Sequence, residues 1–386
     1  MKKFLFLLIL LSIMESSQAI KIIYGPYLQM VTETEATIVW VTDNKSLSWV
    51  EIAPNDKLNF YAEQRPQYFE TYLGRKVLGT VHRVRINKLT KGTTYRYRIF
   101  SQEVLDEQDY QITYGPVTAS NVYSKAPLTF RTLDGNKDNI NFMVVNDIHG
   151  DNALFNNLLK DFKKGETDFV LFNGDMVSHM DNEQQMFEGF VNPAIKLFAS
   201  ETPFYMVRGN HESRGKFAQH YMSYFPTPTN MPYYSFKEGP VYFIIMDGGE
   251  DKPDNDIEYL GTAAFDNYRE EQAEWLRKVV QSEEFKSSPF KVVVIHVPPV
   301  RSTWHGPLHT KKTFLPILNE AGIDLMLCAH LHRHIYNQPN TDGVNFPILI
   351  NSNTNVLQIN ADAKKLNVVI KDEAGKEVKR LSYDIK

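Results

Sequence analysis

The sequence has almost no cysteine: Cys328 is its single thiol in 386 residues, so no internal disulfide bond can form. Exported proteins of the animal secretory route commonly carry disulfides, whereas an exported chain without them is more typical of bacteria. Cys328 lies in the apolar run IDLMLCA, which indicates a buried core position. If the chain is exported, its cysteine content therefore favours a bacterial envelope.

The sequence also lacks a strong charge of either sign, because its formal net charge is −4. Nothing in this balance indicates a surface for polyanions, so nucleic acid is not expected as a default partner. The hydrophobic fraction of 42% and the charged fraction of 23% are those of an ordinary globular protein. The length allows two domains or three.

Near the start of the chain, Lys2 and Lys3 precede an apolar run at residues 4–14, and Ser17-Gln18-Ala19 follows. The run is shorter than the ~20 residues that span a bilayer. We therefore predict a secretory signal peptide at residues 1–19, cleaved after Ala19, with an uncleaved anchor as the alternative. The expected location is secreted or periplasmic, without a stable membrane span.

Residues 20–132 show short alternating strands and no convincing helix. In EATIVWVT, Ile38 and Trp40 fall on one face, and TTYRYRIF places Tyr95 and Tyr97 together. Strands at this spacing predict a β-sandwich. The stretch LTKGTTYRYRI resembles the fibronectin type III pattern. The polar residues 133–139 predict a linker.

From residue 140 strands alternate with helices. The stretch ALFNNLLKDF predicts a helix capped by Asp151, and FDNYREEQAEWLRKVV predicts an amphipathic helix. Strands return in the tail, with a hairpin turn at Gly375. This alternation predicts an α/β domain over residues 140–386, with strands covered on both faces. The six predicted apolar strands contain INFMVV, DFVLFNGD, FYMVRGNHE, VYFIIMDGG, FKVVVIHVPP and IDLMLCAHLH.

Polar side chains recur where these strands end. Each has a plain alternative: Asp147 could cap a helix, Asp175 could belong to a turn, and His296 could be a satisfied core histidine. Together they predict one ligand-binding edge. Imidazole and carboxylate ligands favour zinc, manganese or iron, and an aspartate can bridge two such ions. The set comprises Asp147, His149, Asp175, Asn210, His211, Glu212, His296, His330 and His332.

The ordered motifs D-x-H, G-D, G-N-H-E, H and H-x-H resemble the calcineurin-like metallophosphoesterase family over about residues 140–350. The resemblance implies sheets flanked by helices in an αββα arrangement. It implies two divalent or mixed-valence transition metals and hydrolysis of phosphate esters by metal-bound hydroxide. His211 would protonate the leaving oxygen, and Asp175 would bridge. The implied ligands are Asp147, His149, Asp175 and His332 for one metal and Asp175, Asn210, His296 and His330 for the other.

A fibronectin-like domain ahead of such a domain resembles the purple acid phosphatase architecture, and GPYLQ at residues 25–29 fits its start. The chain departs from that pattern, because His149 replaces a glycine and Ser178 replaces the iron-binding tyrosine. We therefore expect no purple ferric centre. Ala329 replaces the usual glycine before H-x-H. Protein phosphatases have an aspartate where Ser178 stands, so what orients His211 is left open.

The substrate is less constrained by the sequence. We expect Asn210, Arg214 and Arg301 to contact a small-molecule or nucleotide phosphate ester. Residues 300–310 also carry Trp304, His305 and His309, which could contact phosphate or belong to an ordinary surface loop. Phosphomonoesters are the first expectation, and phosphodiesters or nucleotides are the second. A non-catalytic envelope binding protein is a third alternative. The front domain could also serve as a shield or as the surface of a homodimer.

Overall fold

The computed structural model describes residues 20–385, so the predicted signal peptide at residues 1–19 lies outside the described residues. Within the described range, no helix is both long enough and apolar enough to cross a bilayer. Cys328 is buried, as its apolar neighbours indicated.

The front part of the chain is all β, as predicted. The long strand β2 pairs with β1 and β6 through its first half and with β3 and β7 through its second half. A core containing Trp40, Tyr97 and Phe130 lies between the two groups of strands. The strands are β1 (Ile22–Gln29), β2 (Ala36–Pro54), β3 (Gln67–Phe69), β4 (Thr71–Tyr72), β5 (Arg75–Lys76), β6 (Leu78–Ile86), β7 (Thr94–Gln108), β8 (Gln111–Ala119) and β9 (Leu128–Arg131).

Two six-stranded sheets form the second part. The strands of the first are β12, β11, β10, β19, β20 and β21 in spatial order, and those of the second are β13, β14, β15, β16, β18 and β17. Their bounds are β10 (Asn139–Val145), β11 (Phe169–Asn173), β12 (Phe204–Val207), β13 (Tyr234–Glu238), β14 (Val241–Met246), β15 (Phe290–Ile295), β16 (Leu325–Cys328), β17 (Ile335–Asn337), β18 (Ile348–Ile350), β19 (Asn355–Asp362), β20 (Lys365–Asp372) and β21 (Glu377–Asp384).

Helices cover the outer face of each sheet, which confirms the expected αββα arrangement. Phe142, Phe169 and Phe243 belong to the apolar core between the sheets. Separate cores lie on the two outer faces. The helices are α1 (Asn152–Leu158), α2 (Glu183–Met186), α3 (Asn192–Ala194), α4 (Tyr221–Tyr224), α5 (Phe265–Val279), α6 (Glu283–Ser287) and α7 (His305–Ala321). Short 3-10 turns occupy His211–Ser213, Ala218–His220 and Ile257–Tyr259, and π turns occupy Phe187–Val191 and Ile195–Ala199.

Several local predictions are confirmed, with one difference in length. Asp151 caps α1 by accepting hydrogen bonds from the backbone N–H groups of Ala153 and Leu154. This helix ends at Leu158, four residues before Phe162, the last apolar residue of the predicted helix, although Phe162 still packs against the same core. Gly375 adopts a φ of +86° at the turn between β20 and β21.

The front and second parts of the chain share one hydrophobic core. Tyr27 of β1 is buried within the core on the outer face of the first sheet, and its hydroxyl donates to the carbonyl oxygen of Tyr224 at 3.0 Å. Tyr24 stacks on Phe187 with 4.0 Å between the ring centroids. The predicted domain boundaries at residues 132 and 140 stay predictions, because side chains on the two sides of them pack together in this core.

Candidate metal centre

The predicted ligands follow strands of both sheets and meet at one edge of the second part. The first sheet supplies the residues after β10, β11 and β12, and the second supplies those after β15 and β16. The site is therefore formed between two sheets, not along the edge of a single open sheet. Its members are Asp147 and His149 after β10, Asp175 after β11, Asn210 after β12, His296 after β15, and His330 and His332 after β16.

The backbone at this edge turns sharply. Five of the seven predicted ligands have a positive φ, which costs non-glycine residues on the order of 1–3 kcal/mol each and is concentrated at functional sites. Backbone hydrogen bonds between the loops hold the turns, such as the one from His149 N to Asp175 O at 3.0 Å. The five are Asp147 (51°), His149 (51°), Asp175 (55°), His330 (69°) and His332 (52°).

Two glycines allow the loops to approach this closely. A Cβ at Gly174, whose φ is +80°, would lie 2.4 Å from Nδ1 of His296. A Cβ at Gly209 would lie 2.2 Å from Oδ1 of Asp175. Neither neighbour can withdraw without moving a predicted ligand, so both G-D and G-N-H-E require glycine here.

Asp147, His149 and His332 form the first group of candidate ligands, whose ligand atoms all lie within 4.8 Å of one another. Nε2 of His332 is 3.1 Å from Oδ1 of Asp147 and 3.3 Å from Nε2 of His149. Oδ1 of Asp147 is buried and accepts no hydrogen bond. A buried carboxylate oxygen facing two imidazoles suits a cation.

Asp175, His296 and His330 form the second group, again with ligand atoms within 4.8 Å. Nδ1 of His296 donates to the carbonyl oxygen of Asn173 at 2.7 Å, which leaves Nε2 facing Oδ2 of Asp175 at 3.0 Å. Such a bond on the second nitrogen orients an imidazole for metal binding. The side-chain amide of Asn210 lies 3.1 Å from Nδ1 of His330. Both groups therefore fit transition-metal ions through their donor chemistry.

The carboxylates perturb the pKa values of this centre. Burial alone would lower the pKa of His296, but the nearby charges of Asp175 and Asp147 raise it overall. For Asp175, burial works to raise the pKa, yet His296 lowers it overall. Burial lowers the pKa of His330 to about 4. Metals bind neutral imidazole, so a cation at this position would take over the charge compensation that a proton on His296 provides.

Glu212 supports Asp175 from beneath, a role that we did not assign from the sequence. This buried carboxylate accepts backbone hydrogen bonds from Asp175 at 2.8 Å, Met176 at 2.7 Å and Gly209 at 2.8 Å. Burial raises the pKa of Glu212. The position of Glu212 in G-N-H-E could have indicated this role, because an acidic residue in a strand-end loop is surrounded by backbone N–H groups that it can accept hydrogen bonds from.

His211 lies beside the two groups and faces them with Nε2. Its Nδ1 donates to the carbonyl oxygen of Ser178 at 2.7 Å, and Nε2 is 3.8 Å from Oδ2 of Asp175. The orientation left open by the sequence is thus provided by a backbone carbonyl. The Ser178 hydroxyl is 3.4 Å from Nδ1 of His149.

The two arginines predicted to contact substrate are placed differently. Arg214 pairs with Glu250 through Nε at 2.6 Å and NH2 at 2.8 Å, while its NH1 is 3.2 Å from Nε2 of His211. Arg301 donates to Asn337 at 3.1 Å and lines a cavity that His330 also lines. The structure therefore places Arg214 at His211, whereas Arg301 lies in the cavity beside His330.

The cavity beside His330 has a volume of about 700 Å³. Trp304, Lys311, Ser302 and Asp251 also line it. Oδ2 of Asp251 lies 3.6 Å from Nε2 of His330, and Oδ1 is buried without a hydrogen-bond partner. Asp251 was not predicted as a site residue, because nothing in its local sequence marks it.

Residues 140–334 match the family model described as calcineurin-like phosphoesterase. The chain belongs to this family. Residues 24–125 match the model described as the N-terminal domain of purple acid phosphatase. These matches confirm the expected family and architecture and support the expected class, a metal-dependent phosphoric ester hydrolase.

One curated relative is purple acid phosphatase 21 of Arabidopsis thaliana, which is 24% identical over 278 residues. The match covers 67% of this chain and 55% of the relative, so the chain spans about half of that protein. Solved structures include the phosphoesterase Yfce of E. coli, at 11% identity and a TM-score of 0.32, covering 63% of this chain and 98% of that one. A cold-active protein-tyrosine phosphatase of a Shewanella species has 13% identity and a TM-score of 0.33, covering 96% and 100%.

Proposed function

We propose that this chain is an exported phosphoesterase that uses two transition-metal ions to hydrolyse phosphomonoesters. The observation that carries the proposal is the convergence of two His/Asp groups on one edge between two sheets. Asp147, His149 and His332 would hold one ion, His296 and His330 with Asn210 the other, and Asp175 would bridge them. Zinc, manganese and iron all suit these donors.

When bound, the two ions would supply a hydroxide nucleophile at neutral pH and neutralise charge on the phosphate. The protein side chains would donate the proton and contact the phosphate. The Ser178 carbonyl fixes the proton of His211 on Nδ1, so Nε2 faces the reaction site. A proton carried on Nε2 could be given to the leaving oxygen. Arg214, anchored by Glu250, lies beside that nitrogen and can contact a phosphate oxygen.

The cavity beside His330 would take the leaving group. Arg301 and Lys311 bring positive charge to it, and the indole of Trp304 lines it with 51% of its surface exposed. An exposed indole offers a stacking surface for a flat ring, so a nucleotide or phosphodiester is the alternative substrate class. The front domain as a shield or dimer surface stays a prediction.

The test is to produce residues 20–386, measure bound metals by elemental analysis, and assay the same sample on a chromogenic phosphomonoester and phosphodiester. Two ions per chain with faster monoester turnover would support the proposal, and faster diester turnover would favour the alternative. No metal and no turnover after adding zinc or manganese would favour a non-catalytic binding protein. Export is tested by sequencing the N-terminus of the secreted product, which should begin at Ile20.

A further inference from the structure

Two cations, Arg301 and Lys311, line the cavity beside His330. The ammonium group of Lys311, which extends from α7, has no hydrogen bond or ion pair with any residue that the structure describes. Arg214 differs from both, because Glu250 holds it at Nε and at NH2. The cavity therefore has positive charge that is available to a bound anion.

Arg301 is oriented by a buried side chain. Its Nε donates to Oδ1 of Asn337 at 3.1 Å, and Asn337 has 0% of its surface exposed. Nδ2 of Asn337 donates to the hydroxyl of Thr341 at 2.9 Å, which fixes the amide. The backbone of Arg301 has a φ of +65°, a strained conformation that is concentrated at functional sites. The guanidinium is thus held by one nitrogen, and its NH1 and NH2 have no hydrogen bond within the described part of the chain.

Two carboxylates also line the cavity, but they do not neutralise both cations. Oδ2 of Asp342 is 3.6 Å from Nε of Arg301, the nitrogen that is already anchored, and the Asp342 side chain is 41% exposed. Ion pairs in such exposed positions are weak. Asp251 faces His330 instead, with 3.6 Å between Oδ2 and Nε2. The two cations together therefore keep an excess of positive charge.

We propose that Arg301 and Lys311 form a subsite for a second phosphate group, carried by the leaving group of the substrate. This inference rests on the proposed function and narrows the substrate class to phosphate esters whose leaving group is itself phosphorylated. A phosphate monoester carries about −1.5 to −2 charges at pH 7, which matches two cations. NH1 and NH2 of Arg301 can bind two of its oxygens in parallel, and Lys311 adds a point charge. Hydrolysis would break the ester bond at the metal centre, and the second phosphate would leave with the alcohol.

The cavity has room for such a leaving group. Its volume of about 700 Å³ lies within the roughly 300–1,000 Å³ of small-molecule sites. His330, a predicted ligand of the second ion, lines the same cavity as Arg301, so one molecule can reach both the centre and the subsite. The indole of Trp304 belongs to the same lining and can pack against the carbon skeleton between the two phosphates.

The test measures binding of phosphonates, which resist hydrolysis because a carbon–phosphorus bond replaces the ester bond. Calorimetric titration of the zinc-loaded protein gives Kd for alkyl monophosphonates and for alkylene bisphosphonates of increasing chain length. We expect a chain length at which the second phosphonate tightens binding about tenfold or more. Arg301→Gln and Lys311→Gln should each remove most of this gain. Lys312→Gln removes the neighbouring exposed ammonium group, which does not line the cavity, and should retain the gain.

Equal affinity for mono- and bisphosphonates at every chain length would overturn the subsite, as would an unchanged gain in Arg301→Gln and Lys311→Gln. An alkyl phosphonate with a terminal carboxylate is the third ligand, and a gain as large as that of the bisphosphonate would refute the assignment to phosphate. Binding is measured without turnover. Failure of the wild type to hydrolyse any ester would therefore count against the proposed function alone, whereas ester hydrolysis without a bisphosphonate gain would count against the subsite alone.

Discussion

Glu238 gives the second part of the chain a predictable dependence of stability on pH. This residue ends β13 with 4% of its surface exposed, and its Oε2 accepts a hydrogen bond from the backbone N–H of Asp134 at 2.6 Å. Burial raises its pKa from 4.5 to about 7. Glu238 is therefore neutral in the folded protein at mildly acidic pH, whereas the same residue ionises above pH 4.5 in the unfolded chain.

The sign follows from proton binding. Between pH 4.5 and about 7 the folded state holds a proton that the unfolded state has lost, so the free energy of unfolding falls as pH rises and levels off above pH 7. One pKa unit corresponds to about 1.36 kcal/mol, which gives about 3 kcal/mol over the whole window and about 2.5 kcal/mol between pH 5 and pH 8.

Glu238→Gln removes this dependence while keeping an amide oxygen that can accept from Asp134. The free energy of unfolding of each protein is measured by urea denaturation at pH 5 and at pH 8. The difference between variant and wild type should be about 2.5 kcal/mol more favourable to the variant at pH 8 than at pH 5. Glu166→Gln, at an exposed position, serves as the control and should change equally at both values. A constant difference between wild type and Glu238→Gln across this range would refute the reasoning.

Three further predictions concern the metal centre. His211→Ala should retain metal and lose about 10²–10⁴-fold in turnover, whereas Asp175→Ala should lose metal as well, as elemental analysis and an ester assay will show. Asp251→Asn should weaken metal binding about 10–100-fold in a chelator competition, because its carboxylate faces the ring nitrogen of His330. Removing metal with a chelator should lower the melting temperature, since ions that bind only the folded state stabilise it.

A specific result would contradict each of these three predictions. Full turnover by a metal-loaded His211→Ala protein would exclude its role as a proton donor. Asp342→Asn changes a second carboxylate that lines the same cavity, so equal chelator sensitivity of both aspartate variants would remove any special role for Asp251. A melting temperature that is insensitive to chelator would mean that the His/Asp groups hold no metal.

The strand-end residues were predictable because their signal is local. A buried strand that ends in Asp147 or His330 places a polar group at its carboxyl end whichever sheet it joins. The division into two sheets was not visible in the same way, since it depends on which distant strands pair. The short strands β13, β17 and β18 were missed for that reason, and their residues find partners only through the assembled second sheet.

The supporting groups of the site were less predictable than its ligands. Asp251 belongs to the site only because it contacts His330, which is 79 positions away in the sequence. His211 is oriented by a backbone carbonyl, which every residue type carries and which the sequence therefore does not mark. The helix over FDNYREEQAEWLRKVV was correct because its apolar face repeats over several turns. We predicted no helix around Phe187, where π turns interrupt the helical period.

The shared core around Tyr27 bears on how this chain is inherited. Tyr27 and Tyr24 come from a strand in the region that matches one family model, and their partners Tyr224 and Phe187 lie in the region that matches another. Two units joined through buried aromatic rings cannot be recombined freely with foreign partners, since a change of volume on one side leaves a gap or an overlap on the other. Substitutions at these positions should therefore be accepted in pairs, and the front unit should pass between descendants together with the phosphoesterase domain that completes its packing.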